Sequence, residues 1–161
     1  MPRFNRSQKP PQSTVYCSTD ASWKSNSAGL AWIFYNQPPG EHSAELGHKG
    51  LSLRFVSSPC KAEALAIRGA LLHASNLDIT NICIRLDSQE LIRAINQRKW
   101  TIEFHRVLSD ITSLAFSPSS PFSFCRFVFI SRVFNGPADR LSPTLSIVFL
   151  NLLGFRVLNE F

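Results

Sequence analysis

The sequence predicts an α/β fold in which a mixed β-sheet carries helices on one or both faces. Two observations lead there. Apolar and polar residues alternate with period two through consecutive segments of the first third of the chain, as an antiparallel meander requires. Beyond it, helical and strand-like stretches take turns, and that order implies at least one parallel strand pair.

Residues 1–13 read as a flexible basic arm with Arg3, Arg6, Lys9 and the Pro10-Pro11 pair. From Thr14 to Asp20, Val15 and Cys17 alternate with Tyr16 and Ser18, which predicts a strand ending in an aspartate. The polar stretch from Ser22 to Ser27 reads as a turn, and Ala28 to Tyr35 as a second strand stopped by Gln37-Pro38-Pro39-Gly40. Residues 41–56 supply a third strand, with Leu51, Leu53 and Phe55 alternating against Ser52, Arg54 and Val56. Helical periodicity begins near Pro59, which a first turn tolerates, and runs to about Asn76. Ala62, Leu65, Ala66, Gly69 and Leu72 share its broad apolar side. A fourth strand spans Ile82 to Asp87, and Ser88 then caps a helix with apolar Leu91, Ile92 and Ile95. A third helix covers Ile102 to Phe116 and is ended by Pro118 and Pro121. Phe122 to Ser131 is strongly strand-forming, and Asn135-Gly136-Pro137-Ala138-Asp139 reads as a turn entering a last helix. The run from Leu145 to Gly154 is more apolar than a last helix requires, which sets residues 143–161 apart as a C-terminal extension of a domain spanning 14–142.

With 161 residues, 44% of them hydrophobic, the chain is one domain's worth of sequence with an ordinary core. At 17% charged residues, a solvated disordered chain is excluded. Apolar stretches fall short of the ~18 residues that span a bilayer, so no transmembrane helix is indicated. The polar N-terminus lacks the apolar segment of a secretory signal, and a nuclear or cytoplasmic protein is expected rather than a secreted one. Cys17, Cys60, Cys83 and Cys125 have no CxxC spacing and read as buried or structural thiols. The net charge of +6 is compatible with a nucleic-acid partner and equally with solubility alone.

The placement of the acids is more informative than their number. Asp20 and Asp87 are expected at strand ends, Glu63 and Asp139 in the first turns of helices. Those are the places where open sheets bind ligands and where helix N-termini face anions. Singly, Asp87 reads as part of a cap, Glu63 as compensation of a helix dipole and Asp20 as a turn former. Together they form a carboxylate set able to hold hard metal ions.

These residues carry a family resemblance. Thr19-Asp20-Ala21-Ser22-Trp23, Lys61-Ala62-Glu63-Ala64-Leu65-Ala66, Arg85-Leu86-Asp87-Ser88-Gln89 and Asn135-Gly136-Pro137-Ala138-Asp139-Arg140-Leu141 resemble, in order, the four acidic motifs of the type 1 ribonuclease H family. The nearest branch is similar to the plant reverse-transcriptase-like domains related to non-LTR retroelements, and the match covers roughly residues 14 to 142. The resemblance implies a five-stranded mixed sheet, its first three strands antiparallel and its fourth parallel to the first. It implies that Asp20, Glu63, Asp87 and Asp139 are catalytic metal ligands for two Mg²⁺ ions, with Mn²⁺ as a substitute. Asp20 is the best bridging candidate. The implied reaction is hydrolysis of the RNA strand of an RNA–DNA hybrid, leaving a 5′-phosphate and a 3′-hydroxyl.

Hybrid recognition through phosphates and 2′-hydroxyls would place Ser22, Asn26 and Gln89 near the minor groove, and Arg98 and Lys99, beside Trp100, near phosphates. Surface polarity or capping is the alternative for each, and Trp23 either flanks the site or covers a core edge. Three departures from the family pattern stand out. The first motif reads Asp20-Ala21-Ser22 where Asp-Gly-Ser is common, Phe127 to Arg132 stands where the branch has a histidine near Phe129 and a proline near Ser131, and no histidine lies between Asp110 and Asp139. His42, His48, His73 and His105 therefore read as surface or helix-face residues. Two functional classes follow: a metal-dependent hybrid nuclease, or a nucleic-acid-binding or protein-interaction domain that keeps the fold with little catalysis.

Overall fold

A computed structural model of the chain describes residues 9–38, 42–97 and 102–130. In chain order they form β1 (Val15–Lys24), β2 (Ser27–Tyr35), β3 (Glu45–Arg54), α1 (Pro59–Asn76), β4 (Asn81–Leu86), α2 (Gln89–Gln97), α3 (Ile102–Phe116) and β5 (Phe124–Phe129). The strands make one sheet in the order β3-β2-β1-β4-β5. β1 is antiparallel to β2 and β2 to β3, while β4 lies parallel to both β1 and β5. This is the expected mixed sheet. Residues 1–8 of the basic arm, Arg98, Lys99 and Trp100, the Asn135–Asp139 turn with its helix, and the extension 143–161 lie outside the described residues.

Strand alternation puts Cys17, Leu30, Trp32, Phe34, Ile82, Ile84, Cys125 and Phe127 into a single core with α1 and α3. From α1 come Ala62, Ala66, Ala70 and Ala74, all fully buried at four-residue spacing. A ridge of methyl groups lets the helix lie close to the sheet. Where Gly69 meets Trp32, even one Cβ would stand 2.6 Å from the ring. Val107, Leu108, Ile111 and Ala115 of α3 close the far side of the core.

Several sequence expectations need correction. β1 does not end at Asp20 but continues to Lys24. The turn is only Ser25 and Asn26, both at positive φ (49° and 62°), with Lys24 paired to Ser27. Positive φ at both central residues is the twist that a two-residue hairpin needs. The stretch is polar and so reads as a turn, but Ser22 and Lys24 alternate with Ala21 and Trp23 as a strand's residues do. Glu63 is not in the first turn of α1: Ser58 caps the helix, its Oγ accepting from the Lys61 N–H at 3.2 Å, and the first turn has no acid. Leu72 is 46% exposed. At ~100° per residue it stands about 200° from Ala70, whereas Leu71 falls on the buried side. The third strand is shorter than 41–56, and its alternation breaks at Phe55, which adopts φ 62°. Phe55 is thereby exposed and Val56 buried.

Candidate active site

β1 and β4 run in parallel with Ser18 opposite Arg85. Two residues further along each strand stand Asp20 and Asp87, so the register carries both carboxylates to the same level of the sheet. Asp20 lies within β1, opposite Ala31 of β2, where hairpin pairing on one side fixes its backbone. Its Oδ1 accepts a hydrogen bond from the Ala21 N–H at 2.9 Å, and its Oδ2 is buried. Asp87 follows the last residue of β4 and is exposed.

The third acid arrives from α1. Ala62 and Ala66 pin the helix to the sheet, and Glu63 lies one residue beyond Ala62 with Ile67 one helical turn further on. The fourth side of the site is the start of α2. Ser88 is its cap, the hydroxyl accepting from the Leu91 N–H at 3.3 Å and the carbonyl from the Ile92 N–H at 3.2 Å. This cap turns the chain sharply after Asp87 and sets Leu91 against the core.

Thr19, Asp20, Glu63, Ile67, Leu86, Asp87, Ser88 and Leu91 together line one crevice. It is far too small to enclose a metabolite-sized ligand. An open, shallow, acidic crevice suits a site where a larger molecule lays one group. Among the described residues its donors are three carboxylates and two hydroxyls. Hard oxygen donors of this kind suit Mg²⁺ or Mn²⁺. The residues present therefore fit such a cation in chemistry. Among the described residues no group of three or more His, Cys, Asp or Glu is drawn together as a closed ligand set. The three acids share the crevice without converging on a point.

Three of the four carboxylates expected from the sequence are thus brought together, and Asp139 lies outside the described residues. So do Arg98 and Lys99. Ser22, Asn26 and Gln89 do not line the crevice. Ser22 lies two residues beyond Asp20 in β1, Asn26 is exposed in the hairpin turn, and Gln89 is exposed at the start of α2. Sequence reasoning missed Thr19, Ile67, Leu86 and Leu91 as walls of the site. Helical spacing was the available signal: Ile67 is four residues from Glu63, and Leu91 is three from Ser88. Trp23, left open between site and core, packs against the core, and its indole N–H donates to the Val56 carbonyl at 2.7 Å.

The sequence pattern of the family described as reverse transcriptase-like matches residues 18–144. No curated protein matches the sequence. Among solved structures, the RNase H1 of the halophilic archaeon Halobacterium salinarum superposes with a TM-score of 0.62 at 20% identity, over 80% of this chain and 93% of that one. An N-terminal RNase H domain from Mycobacterium tuberculosis gives 0.61 at 19% identity, over 86% and 97%. LC11-RNase H1, from a compost metagenome and solved in complex with an RNA/DNA hybrid, gives 0.54 at 18% identity, over 79% and 92%. At these identities the likeness shows a ribonuclease H-like fold.

Proposed function

From a chain that belongs to the reverse transcriptase-like family, we propose a metal-dependent endonuclease that cuts the RNA strand of RNA–DNA hybrids. One observation carries the reading: Asp20, Glu63 and Asp87, remote in sequence, line a single open crevice at one end of the sheet. Asp20, Glu63 and Asp87, with Asp139 as the fourth carboxylate of the resembled motif set, would hold two divalent cations. When bound, such ions activate a water and stabilise the departing 3′-oxygen of a phosphodiester.

The chain's own residues prepare that chemistry. Asp20 is fixed twice, by strand pairing and by the Ala21 N–H, so one carboxylate oxygen keeps its direction through turnover. Asp87 stands at the exposed side, where an incoming phosphate would meet it. Ile67, Leu86 and Leu91 form an apolar floor, and low local polarity strengthens every charge interaction above it. The crevice's openness admits a duplex backbone without unstacking its bases. Ser22, Asn26 and Gln89 serve the minor groove in this proposal, and Arg98 and Lys99 the phosphates. The Asp20-Ala21-Ser22 form of the first motif supports placing the chain in the plant, non-LTR-related branch. Hybrid binding, seen in the compost enzyme, is here part of the proposal.

A second reading, binding without turnover, is favoured by the carboxylates' lack of convergence among the described residues and by the histidine-free stretch from Asp110 to Asp139. One assay separates the two. Purified protein is incubated with a labelled hybrid, the matching single-stranded RNA and the matching DNA duplex, with Mg²⁺, with Mn²⁺ and with EDTA. Cleavage of the hybrid alone, abolished by EDTA and restored by metal, is the expected result. Hybrid binding without cleavage under any metal would replace the nuclease reading with the second one.

A further inference from the structure

Phe55 is 90% exposed and adopts φ 62°, a conformation bulky side chains rarely take. Such outliers persist when their surroundings determine them, and they concentrate at functional positions. Here the surroundings are explicit. The Val56 N–H donates to the Asn26 carbonyl at 2.9 Å and the Val56 carbonyl accepts from the Trp23 indole at 2.7 Å. Both polar groups of the next residue are therefore held by the β1–β2 hairpin, and Phe55 is pushed outward. Its ring gains no burial in return.

The setting is cationic. Residues 22–27 and 53–61, which make this corner, contain Lys24, Arg54 and Lys61 and no acid. The corner lies at the crevice end of the sheet: Lys24 is four residues beyond Asp20 on β1, and α1 starts just after Phe55. Four strand residues span about 13 Å, or about four base steps of a duplex at ~3.4 Å each. An exposed aromatic ring in a corner that carries cations and no acid matches a nucleobase and its neighbouring phosphates. Inside a duplex both faces of a base are already stacked, so a free face is offered only by an unpaired base.

We propose that Phe55, in the corner that also carries Lys24 and Arg54, is a stacking platform for an unpaired base that flanks the hybrid beyond the carboxylate crevice. The proposal rests on the nucleic-acid reading of that crevice. It makes the preferred ligand a hybrid with a single-stranded overhang.

The test measures binding of the full chain to a blunt hybrid and to the same hybrid with a short overhang, in EDTA, by fluorescence anisotropy. Phe55→Ala should weaken binding to the overhang substrate roughly tenfold, within the range for loss of one base–aromatic stack, and change blunt binding less than twofold. Phe55→Tyr should retain the preference, and Arg54→Gln should lower the salt dependence where Phe55→Ala does not. Equal affinity of wild type and Phe55→Ala for the overhang substrate, or an equal loss on both substrates, overturns the proposal. Thermal melting of each variant guards against misfolding, and Phe55→Gly, relaxed at positive φ, repeats the test without strain. Blunt-hybrid cleavage with Mg²⁺ is followed in parallel. An overhang preference that depends on Phe55 without any cleavage would sink the nuclease reading and leave this one standing.

Discussion

Gly69 marks a close approach of helix to sheet. Its absent side chain leaves room for the Trp32 ring, which is 1% exposed and walled in by the core. Gly69→Ala is therefore expected to lose stability despite alanine's better helix propensity, by about 1–3 kcal/mol as overpacking usually costs, and urea unfolding would show it. The same indole donates to Nδ1 of His73 at 3.0 Å, a bond that requires that nitrogen to be unprotonated. Burial, and then the charge of Lys49, lower the His73 pKa from its ordinary 6.5. A lowered histidine pKa means that the unfolded chain takes up the proton first. Stability from this contact is present above about pH 6.5 and is lost as pH falls through the folded value. Chemical denaturation from pH 7.5 down to 5 should show that decline, and His73→Gln, which can still accept, should flatten it. Neither the Gly69 contact nor the His73 bond was legible in the sequence, because each depends on which strand residue α1 happens to cross. Phe55 was misplaced for a related reason: alternation describes a strand only while φ stays negative.

At the scale of elements, legibility followed local chemistry. α1 and α3 have the bounds their sequences predict, because Ser58 and Pro59 start one and Pro118 follows the other. The Ser58 cap is worth about 1 kcal/mol, so Ser58→Ala should lower the urea midpoint correspondingly with an unchanged slope. Ser88→Ala should cost a similar amount and also loosen the turn that follows Asp87. The turn between β1 and β2 was expected over Ser22 to Ser27, but its two-residue tightness was hidden because Ser25 and Asn26 fill positions where glycine would have announced it. Its correction matters for the site: β1 continues past Asp20, so that carboxylate is held within a paired strand instead of at a loose end.

For the whole molecule, burial separates three of the cysteines from the fourth. Cys17, Cys83 and Cys125 are buried and free, and burial raises the pKa of each thiol. Cys60 is partly exposed at the start of α1. Native protein should label at Cys60 with a thiol reagent while those three react only on unfolding, and mass mapping of the labelled peptides would show it. A mixed sheet with a parallel pair was legible because alternation and helix signals are local, and the β1–β4 pairing was legible through the family resemblance. The crevice was legible only through the ordered resemblance of the acidic motifs, since no local rule tells that Glu63 of a helix will meet Asp20 and Asp87 of two strands. Its apolar floor was legible only as helical spacing from Glu63 to Ile67 and from Ser88 to Leu91, for these residues and Leu86 look like any core residues until the packing is known. The most direct measurement is the rate at which the RNA strand of a hybrid is cut, with Mg²⁺, by wild type, Asp20→Asn and Asp87→Asn at equal folded concentration. Wild type should cleave and each variant should fall by at least about 100-fold, as for loss of a principal electrostatic group; undiminished cleavage by either variant would contradict a carboxylate metal site in this crevice.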